Sequence, residues 1–384
     1  MPKAVKTEII LFHPEGEEYL KRMVFQGLEY TIFDPSKDVI YSFKAIIKTI
    51  FDSLKLNIEL FAKSFFSVRQ AKNFYRKYQA VYIANQLREM KPKVILTFID
   101  NSSIFHLVCE AYKEIPFLAI QNGGRHSWCV DEALPEPEMK YHIGEYYCFG
   151  PYVQKLFEKH QHPIEKYITC GSLVGGYYFS THKSSLVQDE KIHDICLVSQ
   201  WHSHFSDLSA MPRGWMRLGE AIDVLTGYVA RFAAEQSTKV CIALRSDKQD
   251  ERDYYIKYFK GNCVFQQSER LTFSSYKAVT NSKLVIAINS TLATESFGAG
   301  LKVLFVNPFG EKWLKPTSND GPWYISEPDY EKFSDYASRL LDMETDSYLQ
   351  KAGMEMENVV SYDLEKPAHT VIRKRLLQLV DEVN

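Results

Sequence analysis

Short, nearly continuous apolar runs alternate with longer stretches of helical periodicity along most of the chain. Ile9-Ile10-Leu11-Phe12, Val94-Ile95-Leu96 and Val303-Leu304-Phe305-Val306 present no polar residue to water, so each strand needs cover on both faces. Parallel sheets with helices packed on either side meet that demand, which makes this an α/β chain. Strands are expected at Glu8 to Phe12, Tyr30 to Phe33, Val94 to Ile99, Phe117 to Ile120, Tyr146 to Phe149 and Tyr167 to Cys170. A second set follows at Ile195 to Ser199, Val240 to Leu244, Leu284 to Ile288 and Val303 to Val306, with helices such as Trp215 to Glu235 and Tyr330 to Met343 between them.

The polar, aperiodic stretch 180–194 reads as a linker between these two sets. The expected organisation is two Rossmann-like domains, 1–180 and 195–365, facing a cleft. A helix over 366–384, starting near Pro367, would cross back onto the first domain. Residues 40–90 stand apart as a helical insertion in which Lys44, Lys48, Lys55, Lys63, Arg69, Lys72, Arg76 and Lys77 lie among Phe43, Phe51, Phe61, Phe65, Phe66 and Tyr75. That pattern suits amphipathic helices with lysines in water, or a surface that touches anionic lipid or a lipid-linked acceptor.

Composition removes several classes. With 45% hydrophobic and 24% charged residues and a net charge of −2, the chain is neither disordered nor a general nucleic-acid binder. Seven cysteines without a C-x-x-C pair argue against a disulfide framework and a structural zinc site, and fit a reducing cytosol. The first residues lead into a strand rather than a signal-peptide core, and no apolar run reaches membrane-spanning length. P-loop, H-E-x-x-H, G-x-S-x-G and D-x-D motifs are all missing. No metal and no other cofactor is expected.

Ligands of open parallel sheets sit at the carboxyl ends of strands, so the polar clusters there are the site candidates. After the strand ending at Ile288 come Asn289, Ser290 and Thr291, then a helix closed by Gly300. Asn289 or Ser290 can cap that helix, and its amide end suits a nucleotide phosphate. Glu295, one turn past Thr291, is placed to accept hydrogen bonds from a ribose diol. In the first half Asp100 closes one strand, while Gln121, Asn122, Gly123, Gly124, Arg125 and His126 follow the next. His13 and Glu15 follow the first strand, Gln200 follows the strand at 195–199, and Arg245 follows the strand at 240–244. Asp100, His126, His13 and Glu15 are the candidate catalytic bases, with Asp100 placed first because partial burial at a strand end would raise its proton affinity.

These segments carry a family resemblance. Thr97 to Ser102 (T-F-I-D-N-S), Ile120 to Arg125 (I-Q-N-G-x-R) and Asn289 to Pro308 (N-S-T-x-x-x-E-x-x-x-x-G-x-K-V-L-F-x-N-P) resemble motifs of bacterial surface-carbohydrate biosynthesis proteins. The arrangement is similar to glycosyltransferases of the B fold, and more distantly to Kdo and sialic-acid transferases, with weaker echoes at Phe149-Gly150, Gly171-Ser172-Leu173 and the Pro328 to Leu341 helix. The resemblance implies transfer of a sugar from a nucleotide-activated donor, CMP-linked acidic sugars among the options, to a cell-surface glycan or lipid-linked acceptor. It implies that the C-terminal domain holds the nucleotide, in the cytoplasm or at the inner membrane face. The paired glutamates seven residues apart of many retaining enzymes are missing around Glu295, which points to inversion. A sugar-nucleotide epimerase of the same fold, or a non-catalytic nucleotide- or glycan-binding protein, are the competing expectations.

Overall fold

A computed structural model describes residues 7–39, 45–52, 68–125, 140–186, 191–246, 248–266 and 270–381. They form two six-stranded, wholly parallel sheets. The first contains β1 (Ile9–Phe12), β2 (Thr31–Phe33), β3 (Val94–Thr97), β4 (Phe117–Ile120), β5 (Ile143–Cys148) and β6 (Ile164–Thr169), in the order β2-β1-β3-β4-β5-β6. The second contains β7 (His193–Val198), β8 (Val240–Ala243), β9 (Val264–Gln266), β10 (Ser282–Ala287), β11 (Val303–Asn307) and β12 (Tyr324–Ser326), in the order β12-β11-β10-β7-β8-β9.

Side-chain alternation along each strand divides the first core in two. Ile10, Phe12, Ile95, Phe117 and Ala119 pack with Phe105 and Val108 of the helix Ser103–Ala111 and with Ala80, Ile83 and Leu87 of the helix Val68–Met90. Their neighbours Ile9, Leu11, Val94, Leu96, Leu118 and Ile120 pack on the opposite face with Leu20, Leu173 and Phe179. That second face is completed by Ile372, Leu376 and Leu379, from the helix Ala368–Asp381 at the far end of the chain. Arg375 pairs with Glu145 at 2.7 Å, Arg373 donates to the Val24 carbonyl at 2.7 Å and Lys93 donates to the Val380 carbonyl at 2.6 Å, fixing that helix in place.

The chain reaches this helix by way of Phe149, which packs on Val359 and Val360 and whose carbonyl accepts from Ser361 N at 2.8 Å. The approach is close enough to require a glycine: a Cβ on Gly150 would lie 2.6 Å from the Asn358 carbonyl.

Several boundaries differ from the sequence expectation. The three-residue edge strands β9 and β12 were not expected, and Val264 in β9 is 55% exposed, so it lacks the buried signature. β5 and β6 begin three residues before the expected positions, because Gly144 and Glu145 interrupt the apolar run of β5 and because β6, Ile-Glu-Lys-Tyr-Ile-Thr, is a half-exposed edge strand without one. The expected linker is partly helical, since Leu173–Thr181 and a turn at Lys183–Leu186 run into it. Within 40–90, a helical stretch at 45–52 and the helix Val68–Met90 are described, while Lys44, Lys55 and Lys63 lie outside the described residues.

Candidate functional site

In each sheet the chain leaves the middle in opposite directions, between β1 and β3 in one and between β7 and β10 in the other, which opens a crevice at the carboxyl ends. In the second sheet Gln200 spans that crevice. Its Oε1 accepts from Ile288 N at 3.2 Å and Asn289 N at 3.1 Å, and its Nε2 donates to Asn289 Oδ1 at 2.8 Å. Gln200 and Asn289 thus brace each other and set where the helix Thr291–Gly298 starts. Ser290 takes the N-cap position, yet its hydroxyl makes no capping bond. The next loop is shaped by Glu251, a fully buried acid that accepts from Arg245 N at 2.8 Å, Ser246 N at 2.9 Å and Ser199 Oγ at 2.5 Å. The Arg245 side chain remains exposed at the crevice.

Glu295 is not the exposed first-turn acid that a helical wheel suggests. It is 5% exposed, accepts from Tyr276 OH at 2.6 Å through one oxygen and from Ser172 Oγ through the other. Ser172 belongs to the first domain, where it also caps the helix Leu173–Thr181, so this carboxylate ties the two domains together. Burial pushes its pKa up to about 7, against the pull of the two hydroxyl donors. Neither Ser172 nor Tyr276 stood among the candidates. Ser172 lay in one of the weaker motif echoes, and Tyr276 carries no sequence signal beyond its type.

The first domain corrects the leading choice of base. Asp100 is fully buried and receives four hydrogen bonds: Arg125 Nε at 2.9 Å, Arg125 Nη2, Tyr146 OH at 2.7 Å and Asn122 N at 3.2 Å. A carboxylate so engaged with a guanidinium has no position left for an acceptor hydroxyl. It does not cap the following helix either, since Ser102 does so by accepting from Phe105 N at 3.3 Å. Arg125 is spent on the same cluster, with Nη1 on the Gly124 carbonyl and Nη2 also on Asn122 Oδ1, so its guanidinium is not directed at a ligand phosphate. Gln121 is 1% exposed and holds the Gly123 carbonyl at 2.7 Å and Phe149 N at 2.8 Å. The Q-N-G-G-R loop therefore braces itself and turns Asn122 and the glycine backbone outward.

His13 sits after β1 with a left-handed φ of 79°, a conformation costly for a β-carbon-bearing residue. Its Nε2 lies 2.7 Å from Ser102 Oγ, joining the ends of β1 and β3 across the crevice. Burial lowers its pKa from the usual histidine value, opposed by Glu15 and Asp34, so the ring is neutral near pH 7. Glu15 is exposed on the loop beyond it, and His126 lies outside the described residues.

The two carboxyl edges meet. Gly124 N donates to Thr291 Oγ1 at 3.1 Å, and a Cβ on Gly123 would come within 3.2 Å of the same oxygen. Beside that contact lies a cavity of about 290 Å³, walled by Tyr19, Phe98 and Asn122 on one side and by Arg245, Ser290 and Glu295 on the other. A larger cavity of about 540 Å³ lies at the amino ends of β4, β5 and β6, around His142, His162 and Arg375. Strand-end chemistry, not volume, singles out the smaller one. Among the described residues no three His, Cys, Asp or Glu side chains come together as a metal site.

Comparison with known proteins fits this geometry. The chain superposes on the UDP-GlcNAc 2-epimerase of Neisseria meningitidis bound to UDP-GlcNAc with a TM-score of 0.54 at 13% identity, covering 96% of this chain and 99% of that one. MnaA of S. aureus in complex with UDP gives 0.55 at 11% identity, covering 98% and 96%. The wall teichoic acid polymerase TagF soaked with CDPG gives 0.52 at 10% identity, covering 100% and 91%. At such identities the likeness establishes the fold, the two-domain α/β arrangement of B-type glycosyltransferases. No curated protein matches the sequence. Residues 118–375 match the family described as "putative O-antigen biosynthesis protein". That match covers about two thirds of the chain, which therefore belongs to this O-antigen biosynthesis protein family.

Proposed function

We propose that the protein is a glycosyltransferase that takes a sugar from a nucleotide-activated donor and passes it to a surface-glycan acceptor. The carrying observation is the interdomain cavity at two facing carboxyl edges, where the amide end of Thr291–Gly298, the uncommitted capping position of Ser290 and the Glu295 carboxylate line one wall. The amides and Arg245 would stabilise the phosphate charge that develops as the nucleotide leaves, so the reading needs no metal. Glu295 would accept from the ribose hydroxyls in place of Ser172 and Tyr276. Its volume, near the lower end of the roughly 300–1,000 Å³ of small-molecule pockets, suits a nucleoside phosphate more than a whole nucleotide sugar. Donor binding is therefore expected to part the domains slightly.

The proton acceptor in this reading is His13, which stays neutral at working pH and stands on the first domain's side of the crevice. His13→Asn should lower kcat about a hundredfold or more while nucleotide binding stays near wild type. Unchanged turnover in that variant removes His13.

The epimerase structures cover nearly the full length in both directions, which favours one alternative reading. Inverting a carbon without an acceptor needs one group to remove a proton and another to return it. The described cavity wall offers one acid, Glu295, already held by two hydroxyls. Incubation with UDP-GlcNAc alone separates the readings: epimerised sugar nucleotide overturns the transferase proposal. A thermal-shift panel of CMP, CDP, UDP, GDP and dTDP tests the shared premise and identifies the base, because a ligand of the folded state raises its stability with concentration over Kd. No shift with any of the five would sink both.

A further inference from the structure

The stretch 45–52, Ala-Ile-Ile-Lys-Thr-Ile-Phe-Asp, forms a helix that leaves its larger apolar side chains outside. Its inward side holds Ala45, Thr49 and Asp52. Thr49 is fully buried and accepts from Asn85 Nδ2 at 3.1 Å, and Asp52 accepts from the same nitrogen at 3.3 Å. Its apolar side turns outward, with Ile47 39%, Ile50 46% and Phe51 64% exposed. On the helix Val68–Met90, Tyr75 is 65% exposed. A soluble helix gains stability by the opposite arrangement, so a face of this kind marks a contact surface.

Charge says what it contacts. Residues 45–52 and 71–88 carry five lysines and arginines, Lys48, Lys72, Arg76, Lys77 and Arg88, against the single acid Asp52, in a chain whose total charge is −2. Arg88 pairs with Glu114, and Asp52 turns inward on Asn85. Lys48 and Lys72 are exposed beside the apolar side chains. We propose that residues 45–52, with Lys72 and Tyr75 of the helix Val68–Met90, rest on an anionic lipid surface, with Ile47, Ile50 and Phe51 dipping into the interface and the lysines meeting head groups. A second copy of the chain would bring two such positive surfaces together, which repulsion opposes. A nucleic-acid backbone would leave the isoleucines and Phe51 without apolar partners. The surface lies outside the residues matched by the O-antigen family, so it is a property of this chain's own first domain. It stands independently of the donor site.

The test is co-sedimentation of the intact protein with vesicles of phosphatidylcholine, with and without phosphatidylglycerol. Binding should require phosphatidylglycerol and weaken as salt rises. Lys48→Glu with Lys72→Glu should weaken it about tenfold or more, and Ile50→Ser with Phe51→Ser should weaken it comparably. All four side chains are exposed, and unchanged circular-dichroism melts would show that the variants fold. Equal binding to neutral and anionic vesicles, no binding at all, or variants that bind as wild type would each overturn the proposal. A dimer in analytical ultracentrifugation that Phe51→Ser abolishes would also overturn it, in favour of self-association.

Discussion

Asp100, just past β3, and Glu295, in the helix that follows β10, are both buried carboxylates facing one crevice, yet their surroundings give them opposite uses. Asp100 has a guanidinium against it, a phenol and a backbone amide besides, and every bond stays within its own domain. Glu295 has no cation among its partners, only two hydroxyls, one from each domain. A buried charge that is fully paired is a fastener. One held by neutral donors can exchange them for similar hydroxyls of a ligand, and it costs enough to ionise that it titrates near neutrality.

The largest effect should come from breaking the fastener. Asp100→Ala leaves the Arg125 guanidinium, 8% exposed, without its counter-charge, and should lower folding stability by roughly 3–5 kcal/mol in urea unfolding. Adding Arg125→Met should recover much of that loss. A stable Asp100→Asn variant that has lost only turnover would return the residue to catalysis. The next effect belongs to Glu295→Gln, which keeps the shape and should weaken nucleotide binding about tenfold or more, the loss of a hydrogen bond to a charged group. Unaltered affinity by titration calorimetry would exclude Glu295 from the site.

The pH dependence sharpens the same contrast. The folded-state pKa of Glu295 is raised, so the folded protein holds a proton that the unfolded chain releases, and stability should fall as pH rises from about 4.5 to about 7. Glu295→Gln should flatten that slope in thermal melts. In the first domain His106 has the reverse sign. It is buried, with Nδ1 3.2 Å from the His142 carbonyl, and its pKa is lowered to about 3 by burial. Stability tied to His106 is full above pH 6.5 and drains away as pH falls toward 3, so His106→Phe should reduce acid sensitivity. The smallest effect is expected from Ser172→Ala. It removes one donor that holds the Glu295 pKa down, so the midpoint of the Glu295-dependent melt should move upward, with a stability change of about 1 kcal/mol.

Where burial was written into composition, the sequence was a good guide: β4 is the run Phe117 to Ile120 that its unbroken apolar character marks, and Tyr330–Asp342 is the helix its periodicity predicts. Edge elements escaped because a strand paired on one side needs no apolar run, as β9 and β6 show. The helix start at Asn289 to Thr291 was legible from strand, cap and glycine signals. The partners of Asp100 were not, because Arg125 and Tyr146 lie 25 and 46 residues away and meet it only through the pairing of β3, β4 and β5. For the same reason nothing in its own helix shows that Ser172 of the other domain meets Glu295.

The helix Ala368–Asp381 also has a bearing on the order of assembly. One face of the first sheet is closed by Ile372, Leu376 and Leu379, and about 360 residues separate Ile9 from them. At roughly 5–20 residues per second of synthesis, the first domain, otherwise made by Thr181, waits roughly 10–40 s with that face uncovered before its last helix is made. During that interval an emerging chain exposes a strip of Leu11, Leu96 and Leu118 that the finished protein hides. A chain cut short before residue 368 would keep both sheets and lose the seal on the first, and should enter aggregates or chaperone complexes more readily than the full chain.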